Sequence, residues 1–289
     1  MSAPNVVEPV VTDIDPDSLA LQAQLNALLA GVPAGPDVHT PEGLAVLRAN
    51  TSPPQGEITS ARSDVVIAGP GGALRLHIIR PPVAIRAVML RIHGGGFVAG
   101  APEDDDTFND SLARAAGLVI VSPEYRLVPE ATMADGVADC VAAATWLFDN
   151  AAATFGTSRL LVAGNSAGAT HAAQTVIHLR DLNEPAFKTI EGVVLDCGLY
   201  DIAGTPSALA ADADTLILPR DLVRGLADLG SADADLATRR TAAFSPLYAD
   251  LAGLPPAYFL VGDLDPLSDD SRFMAARWQA AGNRTDLDV

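Results

Sequence analysis

The stretch Leu160-Leu161-Val162-Ala163-Gly164-Asn165-Ser166-Ala167-Gly168 constrains the fold of this chain more than any other. A run of four apolar residues suits a short strand buried on both faces. A Gly-x-Ser-x-Gly turn follows it, and residues 167–180 then read as helix. A strand-to-helix turn this sharp holds its serine in a strained conformation, and the flanking glycines let strand and helix approach closely. The hydroxyl is lifted above the sheet edge. The N–H of the next residue, Ala167, points at the same space, and the helix N-terminus adds positive potential there. Ser166 is therefore a candidate nucleophile. The pattern alone is weak, since this composition produces it by chance in roughly 1 chain in 10.

A second motif, His93-Gly94-Gly95-Gly96-Phe97, directly follows the strand-like run Val88-Met89-Leu90-Arg91-Ile92. Consecutive glycines let backbone N–H groups turn toward a bound oxyanion without interference from Cβ atoms. By composition this run arises in well under roughly 1 chain in 100. Two motifs in order, each at the end of a strand, make coincidence a poor explanation.

The rest of the chain supplies a frame for them. Hairpin-like strands at 63–68 and 73–79 flank a Gly-Pro-Gly-Gly turn, and short apolar strands follow at 87–92, 118–122, 160–163, 192–195 and 258–261. Helical segments fall between them near 107–115, 134–150, 167–180 and 268–281. An antiparallel start followed by strand-helix units predicts an α/β fold, with a mostly parallel central sheet flanked by helices. Residues 1–60 read as N-terminal cap helices and a linker. Asp15-Pro16 opens a first helix carrying Leu21, Leu25, Leu28 and Leu29 on one stripe, closed by Gly31, and Thr40-Pro41-Glu42 opens a second. Residues 61–289 read as the core, interrupted by an Ala/Asp-rich cap insertion at about 201–245.

Composition removes several function classes. The net charge is −18, so phosphate backbones and anionic lipid surfaces are repelled and no nucleic-acid partner is expected. No apolar run reaches membrane-spanning length, and the N-terminus lacks the basic and apolar regions of a signal peptide, so a cytoplasmic location is expected. The two cysteines, Cys140 and Cys197, make no C-x-x-C pair and read as buried thiols.

With Tyr125-Arg126-Leu127-Val128-Pro129-Glu130 and Asp265-Pro266-Leu267 added, four motifs stand in a distinctive order. Together with Ser245-Pro246-Leu247 they resemble the bacterial hormone-sensitive-lipase-like (family IV) carboxylesterases of the α/β-hydrolase superfamily. The resemblance runs from about residue 15 to the C-terminus. It implies an eight-stranded sheet, a helical cap, hydrolysis of short-to-medium acyl esters of small molecules, and no metal or organic cofactor. It also implies that Ser166 is the nucleophile, that Gly95, Gly96 and Ala167 donate N–H groups to the oxyanion, and that Gly94 shapes the loop. Asp265 would orient the base; among its neighbours, Asp263 sits too close to the strand, and Asp269 and Asp270 read as caps of the next helix. Phe97, Leu199 and Tyr200 are candidates for the acyl pocket. Asn165 and Ala169 depart from the residues common in the family, which leaves subfamily and pH optimum open.

In this fold the triad histidine follows the last strand. No histidine follows His178, and 283–289 read as the start of that strand, so the last strand and the C-terminal helix are expected to be missing. Roughly 20–30 further residues would complete them. Among the five histidines, His171 and His178 lie along the helix leading away from Ser166, His93 braces the glycine loop, and His77 and His39 are ordinary polar positions. The chain is thus expected to be nearly inactive as an esterase, with its strand at 258–261 an unpaired edge prone to dimerisation. The alternative is a catalytically dead ligand-binding protein on the same fold, as in the plant gibberellin receptor; a related peptidase or amidase is a further reading.

Overall fold

The computed structural model describes residues 20–21, 23–24, 27, 36–49, 56–212, 215, 217–232 and 234–289. The expected first helix lies largely outside the described residues, as do Leu25, Leu28, Leu29 and Gly31. The second is present as α1 (Pro41–Ala49), where Thr40 Oγ1 accepts the Gly43 N–H at 3.0 Å.

Eight strands form one sheet in the order β1-β2-β4-β3-β5-β6-β7-β8. The hairpin β1 (Ala61–Gly69) and β2 (Gly72–Arg80) is antiparallel, as is β2 to β4 (Leu118–Pro123). From β4 onward every pairing is parallel, through β3 (Ala87–Ile92), β5 (Leu160–Asn165), β6 (Ile190–Asp196), β7 (Ala257–Leu260) and β8 (Thr285–Asp288). The apolar runs at 87–92 and 118–122 are buried along their whole length, as strands covered on both faces must be.

One face of the sheet packs against α3 (Met133–Phe155), α4 (Ala167–Asp181) and α8 (Ser268–Ala280). That core joins Leu90, Ile92, Val162, Leu195 and Phe259 to Leu147, Val176, Met274 and Trp278. The opposite face carries α2 (Asp106–Ala116), whose Ala113 meets Met89, Ile120 and Ala163. The chain leaves β3 for β4 on one side and returns to β5 on the other. The crevice at that reversal, beyond the strands' C-terminal ends, is where doubly wound sheets bind ligands.

The missing-strand expectation is corrected. Residues 285–288 form β8, which pairs with β7 in the register Ala257↔Thr285 to Leu260↔Asp288. The strand at 258–261 is therefore no bare edge. Tyr258 Oη donates to the Asp288 carboxylate across the pair. The edge strand is β8 itself, and its exposed Asp286 and Asp288 blunt further strand addition by charge.

Between β6 and β7 lie three short helices, α5 (Pro206–Ala210), α6 (Arg220–Ser231) and α7 (Leu236–Arg239). Their segment closes on itself: Ser245 Oγ accepts the Ile202 N–H at 2.8 Å and donates to Arg239 O at 2.6 Å, while Leu247 N–H donates to Tyr200 O at 3.1 Å.

Trp278 is fully buried between Phe259 and α8's own turns, and its Nε1–H donates to Pro255 O at 2.9 Å. Trp278→Ala is expected to lower unfolding free energy by about 3–5 kcal/mol, read from urea denaturation.

Candidate active site

The turn after β5 is held by three independent constraints. Strand pairing places Gly164 opposite Ile92 and Leu195, and Asn165 opposite Asp196. Ser166 N–H donates to Asp196 O at 2.8 Å, and Ser166 O accepts from the Ala169 and Thr170 N–H groups. Gly168 lies so close to β3 that a Cβ there would stand 2.1 Å from Ile92 O, which no side chain can tolerate. Between these anchors Ser166 adopts φ 52°, ψ −125°, a conformation of the kind that persists only where surrounding structure imposes it.

The 93–97 loop passes directly against this turn. A Cβ on Gly94 would sit 2.9 Å from Asn165 Nδ2 and 3.4 Å from Ser166 Cβ. Gly95 takes φ 118° and accepts the Val98 and Ala99 N–H groups on its carbonyl; a Cβ there would meet Ala99 O at 2.0 Å. Ser166 and Gly94, Gly95 and Gly96 are half-exposed, while Ala167 and the strands behind them are buried. The structure thus brings the serine, the glycine loop and the start of α4 to one accessible spot.

An aromatic brace holds the loop from behind. Tyr125 Oη donates to His93 O at 3.0 Å, and the Tyr125 ring stacks on His93 at 4.3 Å between centroids. His171 stands edge-on to both Tyr125 and Phe97, at 5.0 and 5.1 Å. Burial lowers the His93 imidazole below its ordinary range and takes His171 down to about 4, so both rings are neutral near pH 7. The Tyr-Arg-Leu-x-Pro-Glu motif is the outer part of this brace. Arg126 grips Asp139, Val128 N–H donates to Phe97 O at 3.0 Å, and Glu130 pairs with Arg48 of α1.

The histidines are engaged elsewhere. Nδ1 of His93 meets Gly94 O at 2.8 Å, Nδ1 of His171 meets Gln174 Oε1 at 3.3 Å, and Nδ1 of His178 meets Gln174 O at 2.8 Å. His77 lies between Asp64 and Asp106 on the far hairpin, and His39 is exposed beside α1. Among the described residues the one cluster with metal-ligand spacing is Asp64, His77 and Glu103. The Arg75 guanidinium already bonds both of its carboxylates, so its charge is met from within.

Asp265 follows β7 and is half-buried, whereas Asp263 is exposed. Its Oδ1 accepts the Leu267 N–H at 2.8 Å. Burial raises its pKa, and the nearby Asp196 carboxylate raises it further. Cys197 sits in the same corner, its thiol pushed up to about 12 by burial and by those two carboxylates, which keeps it protonated. Cys140 is buried in the core, and both thiols are free.

Three sequence expectations change. Tyr200 does not face the crevice: it is fully buried in the central core, where its ring stands edge-on to Phe259 of β7. Phe97 and Leu199 instead belong to a second apolar cluster with Ala167, Met133, Val223 and Leu226, where α6 packs over the glycine loop. A cavity of about 250 Å³ borders Leu199, Ile202, Ala208, Val223 and Ala227. Third, Asp269 and Asp270 do not cap α8. Asp270 Oδ1 accepts the Tyr200 and Asp201 N–H groups at 2.7 and 2.8 Å, and Oδ2 accepts the Thr205 hydroxyl at 2.5 Å. Helical spacing carried that signal: Asp270, Met274 and Trp278 follow one another at i, i+4 and i+8, a buried stripe.

Residues 89–289 match the family model of the α/β-hydrolase fold. The chain belongs to the α/β-hydrolase family. It is 33% identical to the esterase LipI of Mycobacterium tuberculosis over 230 residues, covering 76% of this chain and 69% of LipI. It is 30% identical to the carboxylesterase NlhH of the same organism over 302 aligned residues, 99% of this chain and 88% of NlhH. The solved structure of the Pyrobaculum calidifontis esterase superposes with a TM-score of 0.73 at 29% identity, covering 95% of this chain and 83% of that one. The hormone-sensitive-lipase-like branch read from the motifs is the branch these relatives represent. No helix of this α/β hydrolase is, among the described residues, long and apolar enough to cross a membrane.

Asp270 gives the family fold a measurable pH signature here. Burial raises it from the ordinary carboxylate range to about 7. Its contribution to stability is therefore full below the unfolded pKa of about 4 and is lost as pH rises through about 7. Compared with Asp270→Asn, the wild-type protein is expected to lose urea-unfolding stability between pH 5 and pH 8; parallel stability curves would contradict the assignment.

Proposed function

We propose that this protein is a carboxylic ester hydrolase acting on short-to-medium acyl esters of small molecules. Ser166 attacks the ester carbonyl. The oxyanion is received by the N–H groups of Gly95, Gly96 and Ala167, the alcohol leaves, and water clears the acyl-enzyme. Asp265 orients the base. The observation that carries this reading is the close approach of the glycine loop to the strained turn, where a Cβ on Gly94 would stand 3.4 Å from Ser166 Cβ. The 201–245 segment is read as the cap, because Leu226 of α6 lies against Gly96 and Phe97 shares its apolar cluster.

The base is the open member. His77, His93, His171 and His178 have partners other than Ser166, and His39 is exposed beside Gly225 of α6. Removing the histidine from a serine triad costs about 10⁶ in kcat, while the oxyanion hole and binding leave roughly 10³–10⁴ over water. Hydrolysis of a short-chain aryl ester by residues 1–289 is therefore expected to be slow, to rise with added imidazole, and to fall to the solution rate in Ser166→Ala. A rate indifferent to Ser166→Ala would defeat the nucleophile assignment. Ordinary esterase turnover that Ser166→Ala abolishes would show instead that another group serves as base.

The receptor-like alternative draws on the same histidine placement. Tight binding of an uncleaved acyl ligand, with no imidazole response, would favour it.

A further inference from the structure

The loop that carries Asp265 and the root of the 201–245 segment are joined by an unusually dense set of bonds. Asp270 takes the Tyr200 and Asp201 N–H groups and the Thr205 hydroxyl. Asp269 Oδ2 accepts the Ser207 N–H at 2.9 Å, and Ser207 Oγ accepts the Asp269 N–H at 3.1 Å. Ser207 Oγ also donates to Pro266 O at 2.7 Å. All six bonds connect residues 200–207 with residues 266–270, across nearly 60 or more positions of sequence. On one side they reach the knot where Ser245 and Leu247 close the inserted segment. On the other, Asp265 lies one residue before Pro266, with its own Oδ1 fixed by Leu267 N–H and its carbonyl by Ser268 N–H.

Thr205 and Asp270 are both buried, so water cannot replace a bond lost between them at no cost. We propose that Ser207, Asp269 and Asp270 form a clasp that makes the Asp265 loop and the root of the 206–239 helices one mechanical unit. They are then positioning residues: the carboxylate of Asp265 holds its place only while the inserted helices are seated over Ser166. The proposal takes from the reading above only the role of Asp265, and the clasp is measured without reference to catalysis.

Hydrogen–deuterium exchange on the 289-residue protein tests it. Thr205→Val removes one hydroxyl at the insert root and touches nothing bonded to Asp265. It is expected to speed exchange of the Leu267 and Ser268 amides about tenfold, along with those of Tyr200 and Asp201. Thr205→Ser, which keeps the hydroxyl, is expected to exchange as the wild type does. Ser207→Ala, at a half-buried position, serves as a second route and is expected to loosen both segments similarly. Acceleration confined to 200–205, or absent from both segments, would overturn the clasp. Because the readout is amide protection, failure here is distinct from failure of the esterase assay.

Discussion

The site depends on a backbone conformation that no residue adopts by preference. Ser166 sits at φ 52°, and holding it there costs on the order of 1–3 kcal/mol. The sheet supplies that energy through contacts that would exist in any case. Asp196 O receives the Ser166 N–H, and Gly168 is pressed against the carbonyl of Ile92. Three strands, β3, β5 and β6, thereby meet at one turn. The glycine loop leaves β3 at Ile92, so the same carbonyl that limits Gly168 also fixes where the loop begins. The Ser166 turn and the glycine loop share one origin in the fold, and neither can shift without disturbing β3.

Much of this was legible in the sequence because it is local. The apolar run 160–163 and the glycines at 164 and 168 state a strand, a turn and a helix within nine residues, and the structure has them there. The strand runs at 87–92 and 118–122 appear almost to the residue, since continuous apolar stretches of that length have few other uses. What stayed hidden was long-range. Tyr200 looked like a pocket residue because it follows a strand end; its burial depends on Phe259 and Trp278, far along the chain. Asp270 looked like a cap because it opens a helix, while its partners lie at 200–205. The segment 283–289 reads as the start of the last strand, but its alternating aspartates give no sign that 285–288 already pair with β7.

The Tyr125–Glu130 motif shows how a recognisable sequence can act without touching the chemistry. Its tyrosine carries the His93 carbonyl, its valine carries the Phe97 carbonyl, and its glutamate ties α1 through Arg48. These bonds bracket the glycine loop at both ends. The rings within the bracket are electrically neutral, because burial keeps His93 and His171 unprotonated. An aromatic support of this kind is stiff without adding a charge beside the amide donors.

Charge is instead segregated to the other side of Ser166. Asp196 ends β6, Asp265 and Asp270 lie beyond the end of β7, and burial raises the pKa of each. The Asp196 charge pushes Asp265 upward, and both push up Cys197. A corner with crowded carboxylates and, among the described residues, no ion pair at Asp265 favours an incoming positive charge, while the glycine loop opposite offers N–H dipoles. Acyl transfer by serine generates this same division, with a cation forming on the base and an anion on the carbonyl oxygen. This placement of carboxylates and amide dipoles is what supports the hydrolase reading proposed above.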